Sequence, residues 1–274
     1  MSPLDRRKFL RGALGVAAAT VAGCADSEPE TLAPNEVSPT APTPSIRAAP
    51  EPGTSNASSP TPSPTPDEVA SSPTPPRLTQ LEVICREGWD ADPSGRLDPH
   101  TVRQLTVHHT AVRLDDNRQA PARLRQHQDY HQSLGWPDIA YHLGVDRHGH
   151  VYELRRPDVR GDTATEYDPA GHFLVVALGH YDQQSPTAAQ VEGIARAFAW
   201  GAITFEVGGS TLTGHREHAS TTCPGDRLQS LLPSIRERVA ALVAAGVERR
   251  DICGAEAVVR VAAISAGTDA PLEV

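Results

Sequence analysis

The sequence lacks three features that would each indicate a class of protein. It has no excess of basic residues, because 25 Lys and Arg stand against 34 Asp and Glu, for a formal net charge of −9. This balance argues against a general nucleic-acid partner, since phosphate binding needs a basic face. No apolar run reaches the length of an uncleaved membrane span, and no internal repeat is visible.

Aromatic residues are also few, at 4% of the chain, and their distribution divides it. All but one of them follow Arg77, whereas more than half of the prolines precede it. Residues 25–77 are rich in Pro, Ser, Thr and Ala and have too little apolar surface to offset the entropy of ordering. We therefore predict a disordered linker over residues 25–77, which is either a passive spacer or a tether for searching a nearby polymer.

Residues 1–24 are typical of an export signal with a lipid-attachment site. Arg6 and Arg7 resemble a twin-arginine signal, and a stretch of small and apolar residues follows from Gly12 to Gly23. Val21-Ala22-Gly23-Cys24 resembles the lipobox of bacterial lipoproteins. We therefore predict export and a lipid on Cys24 that anchors the chain to a membrane of the cell envelope, in the periplasm or at the cell surface. The alternative is an ordinary cleaved signal with an incidental cysteine.

Strand and helix patterns alternate after residue 78. Strands are predicted over residues 105–110, 139–145, 150–153 and 173–178. Helices are predicted over residues 120–133, after an N-cap at Ser185, and from Pro224 to Gly246, where Pro233 either kinks the helix or delays its start. This order predicts an α/β fold, with a single domain over residues 78–250 that has a central, mostly buried β-sheet flanked by helices. Residues 251–274 are a C-terminal extension without a recognisable motif.

Two local clusters carry residues typical of a metal site. His108-His109 ends a predicted strand, and His215 precedes Cys223 by eight residues. Imidazole and thiolate are good zinc ligands, and a catalytic zinc site has three protein ligands and one open position for water. His108, His215 and Cys223 supply such a set, in which the metal lowers the pKa of the bound water to about 7. Each cluster alone also fits an ordinary histidine pair or a turn with a buried thiol.

The other histidines and Glu217 fit ordinary structural positions. His127 and His131 suit a helix, and the solvent or loop positions are His148, His150, His172 and His180. Glu217 is interpreted as a surface carboxylate, with a proton carrier or a partner that orients a metal ligand as the alternatives.

Three motifs together resemble the type-2 N-acetylmuramoyl-L-alanine amidases, a group that includes the peptidoglycan recognition proteins and phage-type amidases. They are Gln104 to Val112, Tyr130-His131 with Gly135 to His142, and Gly214-His215-Arg216 with Thr221 to Gly225. The resemblance spans about residues 84–244. It implies that Zn²⁺ is bound by His108, His215 and Cys223. It also implies that Tyr141 lies beside the reacting water, where a phenol can donate to the developing oxyanion, and that Thr221 contacts the reacting carbonyl. The alternatives are strand packing for Tyr141 and a turn cap for Thr221.

The resemblance implies a zinc-dependent amidase that hydrolyses the amide between N-acetylmuramic acid and L-alanine of peptidoglycan. Two positions depart from the family pattern: Thr163 stands where similar proteins usually carry a substrate-facing histidine, and His180 where an asparagine is common. Because of Thr163, a non-catalytic peptidoglycan-binding module is the alternative, although Cys223 and Tyr141 favour the enzyme. A zinc hydrolase acting on another amide polymer would use the same metal site.

Two cysteines remain once Cys24 is assigned to the lipid and Cys223 to zinc. Cys85 and Cys253 lie at opposite edges of the predicted folded region. In an oxidising exported compartment two such residues are expected to pair. We therefore predict a Cys85–Cys253 disulfide, with two separate buried thiols as the alternative.

Overall fold

The computed structural model describes residues 78–274. The predicted signal over residues 1–24, the lipid site at Cys24 and the predicted linker over residues 25–77 lie outside the described residues. Within residues 78–274, no helix combines the length and the apolar character needed to cross a membrane.

Seven strands form one sheet at the centre of the described chain. In chain order they are β1 (Thr79–Ile84), β2 (Gln104–His109), β3 (Leu143–Val145), β4 (Val151–Glu153), β5 (His172–Ala177), β6 (Leu212–Gly214) and β7 (Val247–Ile252). Their spatial order is β6-β2-β5-β3-β4-β1-β7. All neighbours are parallel except β3 and β4, which are antiparallel. The carboxyl ends of β2, β5 and β6 therefore meet at one edge of the sheet.

Helices cover both faces of this sheet. They are α1 (Ala120–Ser133), α2 (Ala188–Thr204), α3 (Asp226–Gln229), α4 (Leu232–Ala245) and α5 (Gly254–Ala266). Helices α2 and α4 pack on the face that carries Phe173 and Val175, and α1 and α5 contribute to the core that contains Leu174 and Val176. Because both faces are covered, the central strand β5 is buried throughout and appears in the sequence as a continuous apolar run. The predicted α/β fold with a mostly buried sheet is confirmed.

The strand predicted over residues 139–145 is shorter in the structure, where β3 begins only at Leu143. The hydrogen-bond pattern between this segment and β5 changes at His142. Its backbone N–H donates to the carbonyl of Leu174, but its side chain, and not its own carbonyl, accepts the hydrogen bond in return. Nδ1 of His142 accepts the backbone N–H of Leu174 at 2.8 Å, and Nε2 donates to the carbonyl of Val159 at 2.9 Å. Residues 139–142 are thus held as a loop beside the sheet.

Two helix starts differ from the sequence prediction. Helix α2 begins at Ala188, and its N-cap is Thr187, whose Oγ1 accepts the backbone N–H of Gln190 at 3.1 Å. The prediction of an N-cap at Ser185 was wrong, because Thr187 supplies the oxygen that reaches this N–H. The helix predicted after Pro224 is divided into α3 and α4, with Pro233 in the first turn of α4. Pro233 therefore delays the helix, at a position where a missing N–H costs no hydrogen bond.

The chain beyond residue 246 packs on the same sheet. Strand β7 pairs with β1 along its whole length, and α5 buries Ala257, Val261 and Ile264. The boundary predicted after residue 250 falls inside β7, and residues 251–266 add the end of a strand and a helix. The predicted Cys85–Cys253 disulfide is confirmed, with a Cα–Cα distance of 5.0 Å. It joins the end of β1 to the start of α5.

Candidate metal centre

Neighbouring parallel strands bring the predicted ligands together. His108 lies near the carboxyl end of β2, and His215 directly follows the adjacent strand β6. The register pairs Val107 with Gly214, so the residue after each position reaches the same edge of the sheet. Cys223 lies on the loop that returns from β6 towards α3. Parallel neighbours thus join residues more than one hundred positions apart.

The three side chains fit the dimensions of a zinc site. His108, His215 and Cys223 are all buried. Sγ of Cys223 lies 3.7 Å from Nδ1 of His108, and the two imidazole centroids are 4.5 Å apart. One ligand atom from each residue lies within 4.8 Å of the others. Tetrahedral zinc, with bonds of about 2.0–2.3 Å, places ligand atoms about 3.5 Å apart, close to the separation of Sγ of Cys223 and Nδ1 of His108.

One nitrogen of His215 is buried without a hydrogen-bond partner among the described residues. That atom is Nδ1, whereas Nε2 lies 2.9 Å from Oγ1 of Thr165. With the proton on Nε2, donated to the hydroxyl of Thr165, the lone pair of His215 lies on Nδ1. A buried polar atom left unsatisfied costs about 1–3 kcal/mol. A metal ion at the cluster would satisfy this lone pair.

The loop that carries Cys223 is fixed by backbone hydrogen bonds. The backbone N–H of His109 donates to Sγ of Cys223 at 3.4 Å. The N–H of Arg216 donates to the carbonyl of Cys223 at 2.9 Å. These contacts hold the sulfur beside His108. The N–H of His109 points at the sulfur, and a metal-bound thiolate can accept such a hydrogen bond.

A cleft opens beside the cluster, with Tyr141 in its wall. Tyr141 is buried, and its ring centroid lies 5.1 Å from that of His108. The cleft is also lined by His131, Trp136 and Thr163. Nδ1 of His131 accepts the backbone N–H of Ala140 at 3.2 Å, which fixes the loop next to Tyr141. The helix position predicted for His131 is confirmed, and its ring faces the cleft.

Comparison with known proteins assigns the chain to a family. Residues 98–226 match the N-acetylmuramoyl-L-alanine amidase family, and this segment contains the three clustered side chains and Tyr141. Mouse peptidoglycan recognition protein 1 is 32% identical over 168 residues, which cover 56% of this chain and 86% of the mouse protein. The chain belongs to the N-acetylmuramoyl-L-alanine amidase family.

Two further relatives delimit the similarity to this amidase family. Human N-acetylmuramoyl-L-alanine amidase is 34% identical over 134 residues, which cover 47% of this chain and only 23% of the human protein. The solved structure of peptidoglycan recognition protein LE, in complex with a monomeric diaminopimelic acid-type peptidoglycan, is 25% identical with a TM-score of 0.51. That match covers 56% of this chain and 92% of the solved chain.

A buried arginine joins two loops that line the cleft beside the cluster. Nη2 of Arg155 donates to the carbonyl of Asp138 at 3.0 Å and to the carboxylate of Asp162 at 2.7 Å. Asp138 precedes the Tyr141 loop, and Asp162 is adjacent to Thr163. Arg155 therefore ties both cleft walls together. No motif marks Arg155 in the sequence. Its role in joining the two loops is visible only in the folded structure.

Two more residues that the sequence analysis missed contact the distal nitrogens of the clustered histidines. Thr165 meets Nε2 of His215, and the hydroxyl of Tyr167 lies 3.4 Å from Nε2 of His108. Both belong to the loop between β4 and β5. They are separated from their partners by 50 and 59 residues, so no local spacing could have identified them.

Thr221 and Glu217 make contacts that stabilise the local structure. Oγ1 of Thr221 accepts the backbone N–H of Cys223 at 3.2 Å, as expected of a turn cap. Glu217 is exposed, and Oε1 accepts the N–H of Gly214 at 2.8 Å and Nε2 of Gln229 at 3.0 Å. Partial burial raises the pKa of Glu217, but these hydrogen bonds and the nearby charge of Arg236 together lower it by more. The net shift of the pKa is therefore downward. This carboxylate is a surface group that ties β6 to α3.

A second group of ligand types lies nearby but differs in its lone pairs. His109, His180 and Asp182 also offer atoms within 4.8 Å of one another. Nδ1 of His109 accepts the backbone N–H of Tyr181 at 3.2 Å, so the proton lies on Nε2 and the ring has no lone pair left for a metal. That leaves the Asp182 carboxylate and Nδ1 of His180, which has no hydrogen bond among the described residues and lies 3.8 Å from Oδ2 of Asp182. Two ligands are fewer than a zinc site requires.

His172 corrects another sequence interpretation. It was assigned to a solvent or loop position, but it is the buried first residue of β5. Its Nδ1 lies 2.8 Å from Oγ1 of Thr106, and burial lowers the pKa of His172 to about 4, with the nearby His218 contributing.

A larger cavity of about 440 Å³ lies away from the metal cluster, between β1, α2 and the C-terminal residues. None of the clustered residues lines it.

Proposed function

We propose that this chain is a zinc-dependent N-acetylmuramoyl-L-alanine amidase, which hydrolyses the amide between N-acetylmuramic acid and L-alanine of peptidoglycan. The observation that carries the proposal is the buried convergence of His108, His215 and Cys223, in which Nδ1 of His215 has no hydrogen-bond partner among the described residues. Membership of the amidase family and the similarity to peptidoglycan recognition proteins support the substrate class.

His108, His215 and Cys223 would hold the zinc ion. When bound, zinc supplies Lewis acidity and lowers the pKa of water in the open coordination position to about 7. The three side chains that would hold the ion are buried. Charge interactions are stronger in such a water-poor site than in bulk solvent.

Tyr141 is placed to stabilise charge that develops on the substrate. It lies in the cleft wall beside His108, and its loop is fixed through His131 and Arg155. A phenolic O–H held in this way can donate to the carbonyl oxygen as that oxygen becomes negative. Donors that are fixed before the reaction do not have to reorganise during it.

Thr221 contributes a second, weaker contact to the proposed site. Its oxygen accepts the N–H of Cys223, so its own O–H proton remains available for donation. We assign this proton to the reacting carbonyl. The contact with Cys223 also fixes the hydroxyl next to the ligand loop, which limits the orientations that it can adopt.

The location of the protein belongs to the same proposal. The twin-arginine pattern, the lipobox at Cys24 and the proline-rich residues 25–77 support an exported, membrane-anchored lipoprotein of the cell envelope. A domain tethered in this way is close to peptidoglycan, the polymer that the site is proposed to cleave.

The function is tested by incubating the zinc-loaded full-length chain with purified peptidoglycan. Mass spectrometry should detect stem peptides that begin with alanine, and release should be lost in Cys223→Ala and in His108→Ala. Asp182→Ala, in the neighbouring group, is the matched control and should retain release.

The competing function is a peptidoglycan-binding module without catalysis. The observation in its favour is Thr163, which stands in the cleft where the resemblance implies a histidine. Tight binding of the zinc-loaded chain to intact peptidoglycan, with no peptide released, would contradict the amidase proposal and support the binding module.

A further inference from the structure

The two clustered histidines share one orientation with respect to the loop of residues 163–167. His108 presents Nδ1 towards Cys223, and Nδ1 of His215 is buried without a hydrogen-bond partner among the described residues. In both rings the opposite nitrogen, Nε2, faces a hydroxyl of this loop. Thr165 meets His215 at 2.9 Å, and Tyr167 meets His108 at 3.4 Å.

Thr165 is itself held by a second hydroxyl. Oγ1 of Thr163 lies 2.7 Å from Oγ1 of Thr165, and the backbone N–H of Thr165 donates to the same Thr163 oxygen at 3.1 Å. If Nε2 of His215 donates to Thr165, the Thr165 proton is directed to Thr163. In this direction of donation, His215 carries its proton on Nε2 and presents the lone pair of Nδ1 to the ion.

Tyr167 is held by ring contacts as well as by its hydroxyl. Its ring centroid lies 5.0 Å from that of His215 and 5.1 Å from that of His172. The first contact is tilted and the second is edge-to-face, and together they restrict the ring without fixing the hydroxyl. The long contact to His108 is therefore the weaker of the two links between the loop and the cluster.

We propose that Thr165 and Tyr167 are positioning residues of the metal centre. Their hydroxyl oxygens accept the Nε2–H groups of the two imidazoles and so keep Nδ1 of both rings directed at the ion. The inference rests on the proposed zinc site and adds residues that the family resemblance did not mark. Groups that orient metal-ligating histidines typically change metal affinity by 10–100-fold when removed. Thr165, with the shorter bond and the backing of Thr163, carries the larger effect.

The experiment measures zinc affinity of the full-length chain by competition with a chromogenic chelator. Thr165→Val keeps the shape and removes the hydroxyl, and it should weaken zinc binding by about 10–100-fold. Thr165→Ser keeps a hydroxyl, and its zinc affinity should stay within about threefold of the wild type, a smaller change than that of Thr165→Val. Tyr167→Phe keeps the ring and should weaken binding by less than Thr165→Val.

Two outcomes would overturn the inference. One is wild-type zinc affinity in Thr165→Val, and the other is an equal loss in Thr165→Ser and Thr165→Val, which would assign the effect to packing. Imidazole ¹⁵N NMR of the metal-free protein provides a second readout, because His215 should carry its proton on Nε2 and should lose this preference in Thr165→Val. If the wild type binds zinc but releases no stem peptide, the amidase proposal fails while these affinities still decide the positioning inference.

Discussion

Two groups of potential metal ligands lie at the same edge of the sheet, and they differ in where their lone pairs point. In the buried group His108, His215 and Cys223, Nδ1 of His215 has no partner among the described residues. In the neighbouring group, Nδ1 of His109 accepts a backbone N–H, while the His180 and Asp182 side chains are 22% and 27% exposed. Residue type and proximity are therefore insufficient to define a metal site, because the hydrogen bonds at each ring decide which nitrogen can bind.

The largest effect is expected from removing the sulfur. Cys223→Ala should weaken zinc binding by more than the roughly 100-fold limit typical of residues that only orient ligands. Asp182→Ala should leave both affinity and stoichiometry unchanged, since the second group has too few lone pairs to hold an ion. Isothermal titration of metal-free protein measures both quantities. Loss of a second zinc equivalent in Asp182→Ala would break the distinction between the two groups.

The next effect concerns the cleft wall rather than the ligands. Arg155→Met leaves the Asp162 carboxylate without its buried partner, and unfolding should become easier by about 3–5 kcal/mol. Urea denaturation measures this change. Arg156→Met is the matched control, because Arg156 pairs with Asp158 on the surface and its loss should change stability by less than about 0.5 kcal/mol. Equal effects in the two variants would refute a special part for Arg155.

The disulfide lies away from both groups and separates stability from metal binding. Cys253→Ser opens a covalent link between residues 168 positions apart and should cost about 2–5 kcal/mol of unfolding free energy. Zinc affinity should not change, since none of the proposed ligands contacts this edge. Urea denaturation with reductant is the control, because reduction should bring the wild type close to the variant. An unchanged midpoint in oxidising buffer would contradict the prediction.

The smallest effect is a pH slope from a histidine whose lone pair, like that of His109, is already used by a backbone N–H. Burial lowers the pKa of His142 from 6.5 to about 3, so the folded protein keeps this ring neutral. The unfolded chain binds a proton below pH 6.5, and stability is therefore full above that pH and falls as pH drops towards 3. His142 should contribute about 1.4 kcal/mol per pH unit to this slope.

Urea denaturation between about pH 4.5 and 7 tests this slope, a range that lies between the folded and unfolded pKa values of His142. His142→Gln removes the titrating group, so its stability should depend less on pH than that of the wild type, whatever its absolute stability. Parallel pH profiles for the two proteins would show that His142 is not the source of the slope.

Much of the fold could be predicted because its signals are local. The apolar run at β5 and the helical pattern at α1 each depend on a few neighbouring residues. Strand β7 gave no such signal, because it lies at the sheet edge and buries only Val247 and Ile252. An edge strand that exposes its middle residues does not show the apolar alternation of a half-buried strand.

In the candidate site, too, the residues with local sequence signals could be predicted and those defined by long-range contacts could not. His108, His215 and Cys223 lie in motifs that can be found in the sequence, and the fold brings them together. Thr165 and Arg155 carry no motif, since their parts depend on contacts made across the sheet between separate loops. The prediction of Ser185 as the N-cap was wrong because several Ser and Thr residues near a helix start can compete for the same backbone N–H, and the local sequence does not decide between them.

The central claim is that two imidazoles and one thiolate hold a single zinc ion, and X-ray absorption at the zinc edge tests it directly. The zinc-loaded full-length chain should show one sulfur neighbour at about 2.3 Å and nitrogen or oxygen neighbours at about 2.0–2.1 Å. The sulfur signal should vanish in Cys223→Ala. A spectrum of the wild-type protein with only nitrogen and oxygen neighbours would contradict the proposed centre.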